Sequence, residues 1–130
     1  MKRLLAIALT LTFITSATIM SKAQSNSTSK VLRHVVLFKF KDTSTAEDVR
    51  KVEQAFADLP NKIPQIKGYE WGKNNSPENL NHGLTHCFLL TFSSDKDRND
   101  YLVHPDHKAF GKLLGPHLDK VTVVDYWAGK

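Results

Sequence analysis

The 130 residues, a formal net charge of +5 and a single cysteine fit one domain with a modest core and exclude a scaffold held by internal disulfides. Lys2, Arg3 and Lys22 stand among residues 1–23 with no acidic residue beside them. Without these three the net charge falls from +5 to +2. No basic run is interleaved with aromatics, which argues against nucleic acid as a partner.

Met1-Lys2-Arg3 is a short positive start, and residues 4–20 form an apolar stretch diluted by Thr and Ser. Ser21-Lys22-Ala23 then places small residues three and one before Gln24. This is the order of a secretory signal peptide, with a cut ahead of Gln24. The stretch is shorter and richer in hydroxyls than the ~20 apolar residues of a spanning helix. Residues 1–23 are therefore expected to be removed, leaving an exported, periplasmic or secreted chain without a stable membrane anchor. Cys87, the only cysteine, is far from the cut, so a lipid has nowhere to attach there. It sits in an apolar run and is expected to be buried. Residues 24–30, QSNSTSK, read as a polar tether, and the folded domain is assigned to residues 31–130.

Residues 31–40 are rich in β-branched and aromatic side chains and predict a strand. Alternation puts His34, Val36, Phe38 and Phe40 on one face and Val35, Leu37 and Lys39 on the other. Thr45 and Asp48 sit three apart as a near capping box. Val49, Val52, Phe56 and Leu59 follow at helical spacing, and Pro60 and Pro64 are expected to end that helix. Residues 66–73 predict a second strand, 74–83 a polar loop and 84–92 a third strand. In the third strand His86, Phe88, Leu90 and Phe92 share a face. Ser94 is a candidate N-cap for a helix over 95–103 that turns Tyr101 and Leu102 inward. Pro105 is suited to open a new helix to about Leu114, with Phe110 and Leu113 as its apolar positions. Residues 121–127 complete the set as a last strand.

Strand, helix, strand, strand, broken helix, strand is the order of an α+β, ferredoxin-like β-α-β-β-α-β unit, an antiparallel sheet with helices on one face. Strands one and three are apolar on both sides, yet no further element remains to cover the second face. A homodimer with facing sheets satisfies that requirement.

Five polar residues stand out in this plan. His34 and His86 lie on the apolar faces of their strands, while Tyr101, His104 and His107 follow one another around the Pro105 break. Brought together between sheet and helices, they would line a pocket for an apolar small molecule, with histidine suited to proton transfer near neutral pH. The plainer alternatives are that each histidine is a satisfied core group, that Tyr101 is core, and that His104 caps the broken helix. His82 and His117 read as exposed. A three-histidine metal site lacks a carboxylate or cysteine to complete it, so no metal is expected.

The segments His34-Val35-Val36-Leu37-Phe38-Lys39-Phe40-Lys41, Trp71-Gly72-Lys73-Asn74, Thr85-His86, Tyr101-Leu102-Val103-His104-Pro105-Asp106-His107 and Val124-Asp125-Tyr126 resemble the stress-responsive A/B barrel (Dabb) domain family over nearly all of residues 32–127. The resemblance implies a dimeric α/β barrel built from two ferredoxin-like units. Family members include plant stress proteins and a plant polyketide cyclase. By that resemblance His107 matches a general base, Tyr101 the tyrosine assisting it, and His34 and His86 pocket histidines. The positions that shape the cyclase pocket in the first helix are here Val52, Glu53 and Phe56, implying a different substrate. Three readings follow. The first is a pocket that holds an apolar small molecule; the second is a cofactor-independent cyclase or lyase-type enzyme using His107 with Tyr101. The third is a heme-linked or redox monooxygenase of the related dimeric barrels.

Overall fold

The structure, a computed structural model, describes residues 30–129. The leader expected at residues 1–23 and, apart from Lys30, the expected tether at 24–30 lie outside the described residues.

Strand β1 (Val31–Phe40) forms the middle of the fold. Its alternation is realised as expected: Leu32, His34, Val36 and Phe38 are buried, because they face the helices. Thr45 caps α1 (Ala46–Lys62), accepting from the Asp48 N–H while the Asp48 carboxylate accepts from the Thr45 N–H. Replacing Thr45 with alanine removes the acceptor for the Asp48 N–H and the hydroxyl that donates to the Asp48 carboxylate, while the backbone N–H stays, so a loss of about 1 kcal/mol is expected. Urea denaturation would show this as a lower midpoint at constant slope, and an unshifted midpoint would show that the cap contributes nothing.

α1 ends between the two prolines expected to mark its end. The helix continues through Pro60 to Lys62. Ile63 N–H bonds the Leu59 carbonyl at 2.8 Å, and both Leu59 and Ile63 are buried; packing carries the last turn past the proline. Strand β2 (Gly68–Lys73) starts two residues later than expected, since Ile66 N–H is used in a turn to the Ile63 carbonyl. Strand β3 (His86–Phe92) is likewise shorter at its start, because Leu84 N–H closes a turn onto Asn81.

Ser94 caps α2 (Asp95–Val103), and Pro105 opens α3 (Pro105–Leu114). A short 3-10 turn over Gly115–His117 leads into β4 (Leu118–Ala128). That strand is longer than expected because it pairs with β1 along nearly its whole length. On α2 only Tyr101 is buried, and Leu102 is exposed; on α3 Phe110 and Leu114 are buried while Leu113 is exposed. The inward position one turn after Phe110 is four residues on, at Leu114, and not three residues on at Leu113.

The sheet order is β2-β3-β1-β4, with each neighbouring pair antiparallel. This is the ferredoxin-like α+β arrangement. The core lies between sheet and helices, where Phe56 of α1 stacks on Phe88 at 4.4 Å and meets Phe110 of α3 at 4.6 Å. Among the described residues no helix covers the other sheet face. Cys87, expected to be buried, is exposed there, because the odd positions of β3 point away from the helices. Val124 and Tyr126 of β4 share that face and are about half exposed.

Candidate functional site

His34 is 4% exposed, and its strand partner on β4 is Asp125. The two side chains meet, Nδ1 to Oδ1, at 2.6 Å. A carboxylate only accepts, so His34 carries a proton on Nδ1. The second Asp125 oxygen accepts from Arg98 Nη1, and Arg98 also pairs with Asp95 at the start of α2. One carboxylate therefore orients His34 and ties α2 to the sheet edge.

Tyr101 rests against this histidine. It is 1% exposed, with ring centroids 5.7 Å from His34, 5.1 Å from Phe92 and 4.3 Å from His107. Burial pushes its phenol far above the ordinary acidity range, so it is a neutral donor. His107 Nδ1 lies 3.1 Å from the Leu102 carbonyl oxygen. That oxygen accepts only, so Nδ1 carries a proton and Nε2 of neutral His107 holds the lone pair. Burial is the main cause holding the His107 pKa below its ordinary value; nearby positive charge on His34 or His104 acts in the same direction, and the Leu102 bond opposes it.

Of the five expected site residues, the structure brings His34, Tyr101 and His107 together. His104 serves as a cap: its Nδ1 accepts from Asp106 N–H at 3.2 Å, and it closes α2 while opening α3. His86 does not join the cluster. It pairs with Phe38 whereas His34 pairs with Leu90, a shift of four residues, or about 13 Å along the strand. There it is 7% exposed and fully engaged, with Nε2 3.0 Å from Glu53 Oε1 and Nδ1 2.8 Å from Thr85 Oγ1. Lys73 joins the same carboxylate at 3.2 Å.

The expected single pocket is thus divided. A cavity of about 720 Å³ opens on the uncovered sheet face, lined by Val35, Leu37, Leu89 and Tyr126, and of the five expected site residues only His86 borders it. His34, Tyr101 and His107 lie on the opposite face and do not border it. Asp125 and Arg98 are the site residues that sequence reasoning passed over. Their signal was an acidic residue in an otherwise apolar strand, at the register of His34.

The model of the stress responsive A/B barrel domain matches residues 32–128. The chain belongs to that family. A Dabb relative, the stress-response A/B barrel domain-containing protein HS1 of Arabidopsis thaliana, is 40% identical over 95 residues, 73% of this chain and 87% of the relative. Olivetolic acid cyclase of Cannabis sativa is 33% identical over 95 residues, 73% of this chain and 94% of the cyclase. Among solved structures, hydroxynitrile lyase from Passiflora edulis superposes with a TM-score of 0.74 at 25% identity, covering 78% of this chain and 96% of the lyase. A dimeric protein of unknown function and ferredoxin-like fold from Bacteroides fragilis gives 0.61 at 31% identity, covering 74% of this chain and 94% of that protein. This Dabb domain thus has the fold expected of it, and its motif residues Tyr101 and His107 stand in ring contact.

Proposed function

We propose that this Dabb protein moves a proton on a small apolar carbonyl compound, with His107 as general base and Tyr101 as neutral donor. The carrying observation is the pinned His107 imidazole, whose Nδ1 proton is held by Leu102 and whose pKa is lowered. That combination favours a neutral ring with Nε2 available as a base near neutral pH. His34, oriented by Asp125, flanks the tyrosine from the other side and offers a second proton-handling group. The likeness to a cyclase and a hydroxynitrile lyase supports this reading over simple storage of a ligand. The chemistry requires no cofactor.

The test is deuterium exchange. Mature protein is incubated with phenylacetaldehyde and with acetophenone in D2O, and loss of the α-hydrogen signal is followed by NMR. Exchange faster than in buffer supports the reading. Exchange at the buffer rate with these and a wider panel of enolisable aldehydes and ketones sinks it.

Two further parts of the proposal concern where and as what the protein acts. The leader at residues 1–23 directs export, so the substrate is met in the periplasm or outside the cell. A second copy covers the open sheet face, whose Val35, Leu37, Leu89, Val124 and Tyr126 would otherwise face water; the dimeric Bacteroides fragilis neighbour supports this. Leu89→Glu places a charge in the middle of that face and should convert a dimer to a monomer in sedimentation velocity, with the far-UV spectrum unchanged. A wild-type chain that sediments as a monomer at micromolar concentration would contradict the assembly.

A further inference from the structure

On the helix side of the sheet one cross-strand row runs from Asp125 on β4 through His34 on β1 and Leu90 on β3 to Tyr69 on β2. Asp125 and His34 satisfy each other. Tyr69 has no such partner: its hydroxyl is shut off from solvent and makes no hydrogen bond to the described residues. A buried hydroxyl in that state is destabilising. Phenylalanine would keep the same ring contacts, 5.7 Å to Phe56 and 6.5 Å to Phe88, without the unpaired oxygen. The oxygen therefore calls for a use that the folded chain alone does not supply.

Its surroundings point to one. Tyr69 shares its row with His34, the histidine against which Tyr101 packs. Leu90 alone separates Tyr69 from His34 in that row, on the sheet face to which Tyr101 is packed. Burial, reinforced by the Glu53 carboxylate, pushes the Tyr69 phenol far up in pKa, so it too is a neutral donor. Phe56, Phe88, Leu90 and Phe92 make the surrounding wall apolar.

We infer that Tyr69 is a further ligand-binding residue of the acid–base site, donating a hydrogen bond to the oxygen of an enolisable aldehyde or ketone with an apolar substituent. The inference rests on the acid–base reading above and names the substrate group that this site takes. In the step it serves, His107 Nε2 takes a proton from the carbon beside the carbonyl. The C–H electron pair becomes the C=C bond, and the carbonyl π pair moves onto oxygen. Tyr69 and Tyr101 then share the negative charge of the enolate through two hydrogen bonds. Protonation of the enolate by the imidazolium returns both groups to their starting state.

Benzaldehyde labelled with 13C at the carbonyl tests this without turnover, because it has no hydrogen on the carbon beside its carbonyl. Bound to the wild type, its carbonyl stretch should fall below the solution value, as donors draw electron density onto oxygen. Tyr69→Phe should bind it about tenfold more weakly, the worth of one hydrogen bond, and should return the stretch part of the way to the solution value. The same variant should melt at the wild-type temperature or above, so that a weaker affinity is not the result of a damaged fold. Unchanged affinity and stretch in Tyr69→Phe would overturn the Tyr69 assignment and leave the acid–base reading standing. A wild type that leaves the benzaldehyde stretch at its solution value, with no α-hydrogen exchange on phenylacetaldehyde, would overturn both.

Discussion

Replacing His107 with alanine should slow α-hydrogen exchange by about 10²–10⁴-fold, the usual worth of a positioned general base, and leave the fold intact. The fold should survive because His107 is only partly buried and its one hydrogen bond is to the Leu102 carbonyl, at a surface where water can replace the imidazole. Activity should rise with pH along a titration whose midpoint lies below 6.5, since the folded chain holds this histidine beneath its ordinary value. Stability carries the same sign. Below 6.5 the unfolded chain binds the His107 proton more readily than the folded chain, so this residue destabilises the fold progressively as pH falls, down to its folded pKa. Well above 6.5 the contribution vanishes. The alanine variant should lack this segment of the stability profile, measured as urea midpoints between pH 5 and pH 8. An exchange rate equal to wild type would remove His107 from the role of base.

Phe56→Ala should be the most damaging core substitution, costing about 3–5 kcal/mol. Phe56 is 1% exposed, and its ring meets Phe38 on β1, Tyr69 on β2, Phe88 on β3 and Phe110 on α3. The vacated space is bounded by four different elements, so no single side chain can move in to fill it. Against a total of about 5–15 kcal/mol for a domain, the loss takes much of the margin. Thermal melting of the folded domain should fall sharply, with Phe56→Leu intermediate. A melting temperature within a few degrees of wild type for Phe56→Ala would show that the core collapses around the vacancy.

Which residues of β1 and β3 share a face was readable because alternation is a strict rule in a strand: His34, Val36 and Phe38 stand against Val35 and Leu37. The α2–α3 corner was readable because Pro105 admits few positions. Errors arose where tertiary packing outweighs local preference. On α3 packing takes Leu114 rather than Leu113 as the inward position after Phe110. The site was legible in its residues more than in its grouping. His86 and His34 share a sheet face, but only the register reveals the four-residue offset between them. Asp125 stands 91 positions from His34, and an acidic residue in a late strand gives no local hint of which histidine it will meet. Tyr69 was invisible for a related reason: an unpaired hydroxyl is defined by what surrounds it, and β2 predicts only that a tyrosine can pack there.

The shared cap at His104 has a consequence for how this family can diversify. Tyr101 and His107 lie on either side of one rigid proline corner, whose backbone closes one helix and starts the next through the same residue. Their separation is therefore a property of the corner and not of two independent side-chain choices. Substitutions elsewhere in the chain can then alter what surrounds the two rings, while the spacing between Tyr101 and His107 is inherited with the corner.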